Sequence, residues 1–130
     1  MEEKAANHAE LRMVLAIRGD LDEMTRGKSE IQAAHAAFAA GVVLSRTHPD
    51  LVQRYLADGQ PKIGVEVNDE MHLRAIIARA EKRGVQVSMI KDQGRTIFTG
   101  ETVTCAIIGP MSKTDSNAVT RGTRMRDKER

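Results

Sequence analysis

The sequence predicts an α/β fold: a single domain built on a mixed four-stranded β-sheet with helices packed on it. A β-favouring run at Lys62 to Val67, a helical stretch to about Arg83 and a second β-favouring run at Gln86 to Lys91 form one strand–helix–strand unit. An apolar strand pattern, Met13 to Ile17, precedes a long Ala-rich helical segment. The 130 residues suit one core, and no stretch reads as a linker between two.

The elements follow in order. Residues 1 to 11 are polar and Ala-rich and read as an N-terminal arm. Met13 to Ile17 is a buried strand ended by Arg18-Gly19-Asp20, and the acidic loop Asp20 to Thr25 leads through Gly27-Lys28 into a helix running to about Ser45. Pro49 opens a shorter helix through about Ala57, because proline in the first turn forfeits no helical hydrogen bond; Asp58-Gly59 ends it. After the strand from Lys62, Asn68 or Asp69 caps the next helix and Gly84 suits its C-terminal end. The strands on either side of that helix are expected to be parallel, with a right-handed crossover. A loop containing Gly94 and Gly100 then permits an antiparallel return along a fourth strand, Thr102 to Ile108. The domain is expected over residues 12–120, with a basic tail over 121–130.

Composition excludes several classes. Phe38, Tyr55 and Phe98 are the only aromatic residues, so the core rests on Val, Ile, Leu, Met and closely packed Ala. The single Cys105 excludes an intrachain disulfide and points to a reducing, cytoplasmic setting; inside an apolar strand it is expected to be buried and inert. The longest nearly apolar stretch, Ala33 to Leu44, is shorter than the roughly 20 residues that span a bilayer, and no membrane association is expected. His8, His48 and His72 lack zinc spacing and no phosphate-cradling glycine loop follows the first strand, so no metal and no cofactor are expected. Net charge is +2, but residues 113–130 hold six Lys or Arg against three acids. Such an end is either a solvated tail or a contact for RNA phosphates.

Two polar clusters interrupt otherwise apolar segments. At about 100° per residue, Lys28, Gln32 and His35 fall within a wedge of roughly 60° on the long helix, beside an apolar stripe of Ile31, Phe38 and Val42. The run Asp92-Gln93-Gly94-Arg95-Thr96 follows the strand Val87-Ser88-Met89-Ile90 and places a carboxylate, a guanidinium and a hydroxyl at a strand's C-terminal end, where open α/β sheets bind ligands.

Taken in order, these residues resemble the type 2 peptidyl-tRNA hydrolases of archaea and eukaryotes. Arg26-Gly27-Lys28 resembles that family's Lys-Gly-Lys, Gln32-Ala33-Ala34-His35-Ala36-Ala37 its Gln-x-x-His-Ala-Ala, and Gly59-Gln60-Pro61-Lys62 its Gly-Gln-Pro-Lys. Asp92-x-Gly94-Arg95-Thr96 resembles its Asp-Ala-Gly-Arg-Thr, and Thr104 with Ile108-Gly109-Pro110 its Thr-Val-Leu-x-Ile-Gly-Pro. The resemblance runs from Met13 to Pro110, with an echo at Asp115 to Thr120. It implies a peptidyl-tRNA hydrolase-like fold, peptidyl-tRNA as the RNA partner, hydrolysis of the ester joining peptide to tRNA, and a homodimer.

Such a reaction needs a positioned water, a proton acceptor and donors aimed at the oxygen that becomes negative. The expected catalytic set is Lys28 for the oxyanion or a phosphate, Asp92 to orient or deprotonate water, and Thr96 and Thr104 to position water or ribose oxygens. Lys28 in the first helical turn sits unfavourably beside the positive end of the helix dipole, which argues for function over simple solvation. An Asp beside a lysine stays ionised, which favours orientation over strong basicity. Gln32, His35, Lys62 and Arg95 form a supporting or substrate-binding set with open alternatives. His35 is either a base or a cap on a backbone carbonyl, Gln32 likewise structural or functional, Lys62 a strand-edge residue or an RNA contact, and Arg95 a partner for Asp92 or for phosphate.

The sequence departs from the family at three places, the first being Arg26 where the family has lysine, which keeps charge but alters geometry. The loop before Lys28 is one residue longer than usual, and Arg121-Gly122-Thr123-Arg124-Met125-Arg126 puts charge where the family closes with Gly-x-Leu-Lys-Leu. The last two support a rival expectation, a non-catalytic tRNA-binding or regulatory module on the same fold. Hydrolysis of another acyl ester, such as aminoacyl-tRNA, is a third.

Overall fold

The computed structural model describes residues 10–92 and 102–126, Asp92 by its backbone alone. In chain order the elements are β1 (Leu11–Arg18), α1 (Arg26–Thr47), α2 (Pro49–Ala57), β2 (Lys62–Val67), α3 (Glu70–Lys82), β3 (Val87–Asp92), β4 (Thr102–Ser112), α4 (Lys113–Val119) and β5 (Arg124–Met125). They form one sheet in the order β3-β4-β1-β2-β5.

The sheet has five strands, not four. Arg124–Met125, which the composition alone assigns to a basic tail, pairs antiparallel with Val65 and Glu66 of β2. A buried carboxylate explains why charged residues add to an edge here. Glu66 is 1% exposed and receives Arg124 Nη2 at 2.6 Å and Arg126 Nη1 at 3.0 Å. The charge that replaces the family's apolar ending is therefore matched from within the sheet.

The strands flanking α3 also differ from expectation. β2 and β3 run in the same direction, but β4 and β1 lie between them, and the bonded parallel pair is β1 with β2. The two central strands carry apolar side chains on both faces, which favours the positions buried from both sides. Val14, Ala16, Ala106 and Ile108 pack against Leu73, Ile76 and Ala80 of α3. Met13, Ile17, Cys105 and Ile107 pack against Ala36, Ala40 and Leu44 of α1 and Tyr55 of α2.

Local chemistry sets the helix ends. Thr25 Oγ1 accepts from the Lys28 N–H at 3.1 Å and starts α1. Asp69 Oδ1 accepts from the His72 N–H at 2.8 Å, while His72 Nδ1 takes the Asn68 N–H at 2.9 Å, a reciprocal cap that starts α3. Strand β4 runs on past Ile108 because Gly109, at φ +117°, bends it: a Cβ there would lie 2.8 Å from the Arg12 carbonyl oxygen.

The Gly59-Gln60-Pro61-Lys62 motif builds the fold. Gly59 and Gln60 both have positive φ, and the Pro61 carbonyl accepts from Tyr55 Oη at 2.9 Å and from the Met13 N–H at 3.0 Å. The turn locks α2 to the start of β1. Burial of Tyr55 pushes its phenol up to about 12, so the hydroxyl stays a donor.

Candidate functional site

Helix α1 buries Ser29, Gln32, Ala36, Ala40 and Leu44, and its alanines let it lie close to the sheet. The Ile31, Phe38 and Val42 stripe lies ~160° around the helix from the centre of that face. These three side chains are solvent-exposed, Phe38 the most at 76%. The polar wedge thus sits at the border between the core and an exposed apolar stripe. Within it Gln32 is buried, Lys28 half-buried and His35 exposed.

The buried member of the wedge meets β4. Thr104 Oγ1 donates to Gln32 Oε1 at 2.9 Å, and both residues are almost wholly inaccessible. A bulge produces this contact. On β4 the register with β3 passes from Ile90↔Cys105 to Lys91↔Val103, so Thr104 is the extra residue. Val103 packs with the α3 face and Cys105 with the α1 face. Strict alternation would send Thr104 away from α1; the bulge turns it toward α1, to Gln32. Sequence periodicity gives no sign of this, since every residue from Val103 to Met111 is buried.

The bulge lies one step from the end of β3. Asp92 pairs across to Thr102, two residues before Thr104, and the first turn of α1, with Lys28, is one turn from Gln32. The backbone therefore gathers Lys28, Gln32, Thr104 and Asp92 at one end of the sheet. Thr96 and Arg95 lie outside the described residues.

His35 opens onto a different part of the same region. With Phe38 and Ala39 of α1 and Met89, Ile90 and Lys91 of β3 it lines an open cleft of about 520 Å³. The imidazole is exposed there. Lys62 sits elsewhere. It is opposite Met13 at the start of the parallel ladder, whereas Thr104 lies beside the Ile17 end of β1. At about 3.3 Å per residue, four strand positions separate these ends by roughly 13 Å. The Lys62 ammonium lies 5.3 Å from the Tyr55 ring centroid and 3.4 Å from the Gln60 carbonyl oxygen.

Cys105 is fully buried and its thiol is pushed up to about 11, chiefly by desolvation. It is a core residue. Among the described residues, no group of three or more His, Cys, Asp or Glu side chains could hold a metal ion, and no helix is long and apolar enough to cross a membrane.

Sequence reasoning missed two contributors. Arg18 reads only as the end of a strand, yet its guanidinium is anchored by Asp20 and donates to the Val103 carbonyl at 2.9 Å. Ser29, which the sequence does not single out, is buried and accepts from Arg126 Nη2 at 3.2 Å. Signals for both exist only across the fold.

Comparison with known proteins agrees with this architecture. The family model described as "Peptidyl-tRNA hydrolase PTH2" matches residues 11–125. A Methanocaldococcus jannaschii protein named peptidyl-tRNA hydrolase is 38% identical over 100 residues, covering 77% of this chain and 86% of its own length. One from Thermococcus onnurineus is 33% identical over 99 residues, covering 76% and 83%. Human "Peptidyl-tRNA hydrolase 2, mitochondrial" is 39% identical over 101 residues, 78% of this chain. The chain spans about half the length of that mammalian relative, 56%. With the family model covering nearly the whole described sheet and both helical faces, the chain belongs to the peptidyl-tRNA hydrolase PTH2 family.

Proposed function

We propose that this chain hydrolyses the ester that joins a peptide to the terminal ribose of tRNA, releasing free tRNA. Water attacks the carbonyl carbon, the bond from that carbon to the ribose oxygen breaks, and the products are a peptide carboxylate and a tRNA hydroxyl. Lys28 stabilises the oxyanion, Asp92 orients the attacking water, and Thr96 and Thr104 position water or the ribose oxygens. Arg95 holds Asp92 or a phosphate, and His35 contacts substrate at the edge of the cleft beside Phe38.

The observation that carries this reading is the buried Gln32–Thr104 hydrogen bond. A polar pair in an otherwise apolar contact costs stability unless it is satisfied, and here it ties the helix that carries Lys28 to the strand that pairs with Asp92. A donor aimed at the developing oxyanion, the role given to Lys28, supplies about 10²–10³ in rate. Lys62 serves the turn at the far end.

Release of labelled peptide from peptidyl-tRNA tests the reading. Wild-type protein is expected to turn over and Asp92→Asn to lose most of the rate. Binding of tRNA with no release by the wild type would favour the rival, a regulatory module.

Assembly and location are also proposed. The exposed Ile31, Phe38 and Val42 support a homodimer through α1, and a solution mass of one chain rejects it. The buried, unpaired thiol of Cys105 supports a reducing compartment, which we take to be the cytoplasm. Three mammalian relatives carry "mitochondrial" in their names, and cell fractionation decides between the two.

A further inference from the structure

We propose that Arg18 and Asp20 are positioning residues that hold the bulge of β4 so that Thr104 stays turned toward α1 and Gln32. The proposal rests on the role given to Thr104 above. It starts from a gap in the sheet. The register of β1 with β4 ends at Ile17↔Cys105, and the register of β3 with β4 passes over Thr104. Thr104 therefore lies where one ladder has stopped and the other skips a residue.

Two side-chain contacts span that gap. Thr104 holds Gln32 on the α1 face. On the β1 side, the Arg18 guanidinium takes the carbonyl of the preceding residue, Val103, through Nη1 at 2.9 Å. The next backbone N–H of the chain, that of Gly19, is committed to Val67 of β2. A side chain thus continues the work of a strand that has ended.

The guanidinium is itself fixed. Asp20 takes Nε at 3.0 Å and Nη2 at 2.9 Å, a two-point fork, and Glu70 lies 3.5 Å from Nη1. The Arg18 side chain is only 11% exposed. The hydrogen bond from Arg18 holds the Asp20 carboxyl below its usual range, and the same bond raises Arg18, so both stay charged. Lysine carries the charge but cannot present a planar fork to Asp20 and a third donor to Val103 together.

The test is a kinetic cycle on the full chain with Arg18→Lys, Asp20→Asn, Thr104→Val and the Arg18→Lys/Thr104→Val pair, using peptide release. Arg18→Lys is expected to lower kcat about 10-fold or more with KM within about twofold, because a misplaced group loses rate without losing binding. Asp20→Asn is expected to fall between Arg18→Lys and wild type. Adding Arg18→Lys to Thr104→Val should cost no more than about twofold further, since the guanidinium acts through the hydroxyl. Losses that multiply, or an Arg18→Lys protein as fast as wild type beside an impaired Thr104→Val, overturn the proposal.

A second readout does not need Thr104→Val to fold. The side-chain amide resonances of Gln32 should shift in Arg18→Lys, and unchanged resonances overturn the positioning claim. If wild-type protein releases no peptide, the proposed function fails while this measurement still judges Arg18.

Discussion

The Thr104 hydroxyl and the Gln32 amide, 72 residues apart in sequence, meet at 2.9 Å in the interior and join β4 to α1. In the folded chain Gln32 is 3% exposed and Thr104 0%. Removing one partner should therefore cost more than removing both. Gln32→Leu or Thr104→Val alone is expected to lower unfolding free energy by about 1–3 kcal/mol, and the double variant by less than the sum. Urea denaturation of the four proteins measures the coupling, and strict additivity rejects it.

Lys28 separates activity from stability. It lies half-buried in the first turn of α1, a turn that contains no acidic residue, so its charge opposes the helix dipole. Lys28→Ala should leave the chain folded while peptide release falls about 100-fold or more. A variant that keeps wild-type turnover removes Lys28 from the chemistry.

Glu66 makes the last strand conditional on charge. Arg124 and Arg126 side chains are 51% and 25% exposed and can rehydrate, whereas Glu66 is buried at 1%. Taking both arginines away should thus cost about 3 kcal/mol or more, and Glu66→Gln clearly less. Gly19→Ala should act on the same group, because a Cβ there collides with the Glu66 carboxylate. Chemical denaturation ranks these variants, with the reverse order contradicting the account.

The Arg18–Asp20 pair predicts an acid limb. Because the folded Asp20 carboxyl lies below its ordinary value, its contribution is fully present above that value and is lost as pH falls through the lower one. Its side chain is 35% exposed, so screening keeps the effect small. Asp20→Asn should flatten the acid side of the stability–pH curve relative to wild type.

Cys105 predicts an alkaline counterpart. Its thiol is held above the ordinary value of 9.0 at about 11, so the stability it contributes is present below 9.0 and is lost as pH rises from there through about 11. Native protein near about pH 8 should resist maleimide until denaturant is added. Rapid labelling of the native chain would show that the strand opens.

The strand–helix pattern, the helix cap at Asp69, the turn at Gly59 and the ordered polar motifs are legible in the sequence. They are local: each depends on residues within a few positions, where periodicity, proline geometry and capping act. Burial of Cys105 is legible for the same reason, as an apolar strand surrounds it. The strand order, the Thr104 bulge, the fifth strand and the Arg18 and Glu66 pairings were decided only by the tertiary structure. Apart from the β3–β4 pairing, each joins residues 49 or more positions apart or counts one residue against two across strands, and no local pattern encodes such a partner. The chain wrote the chemistry into its residues, and the sheet chose which of them face one another.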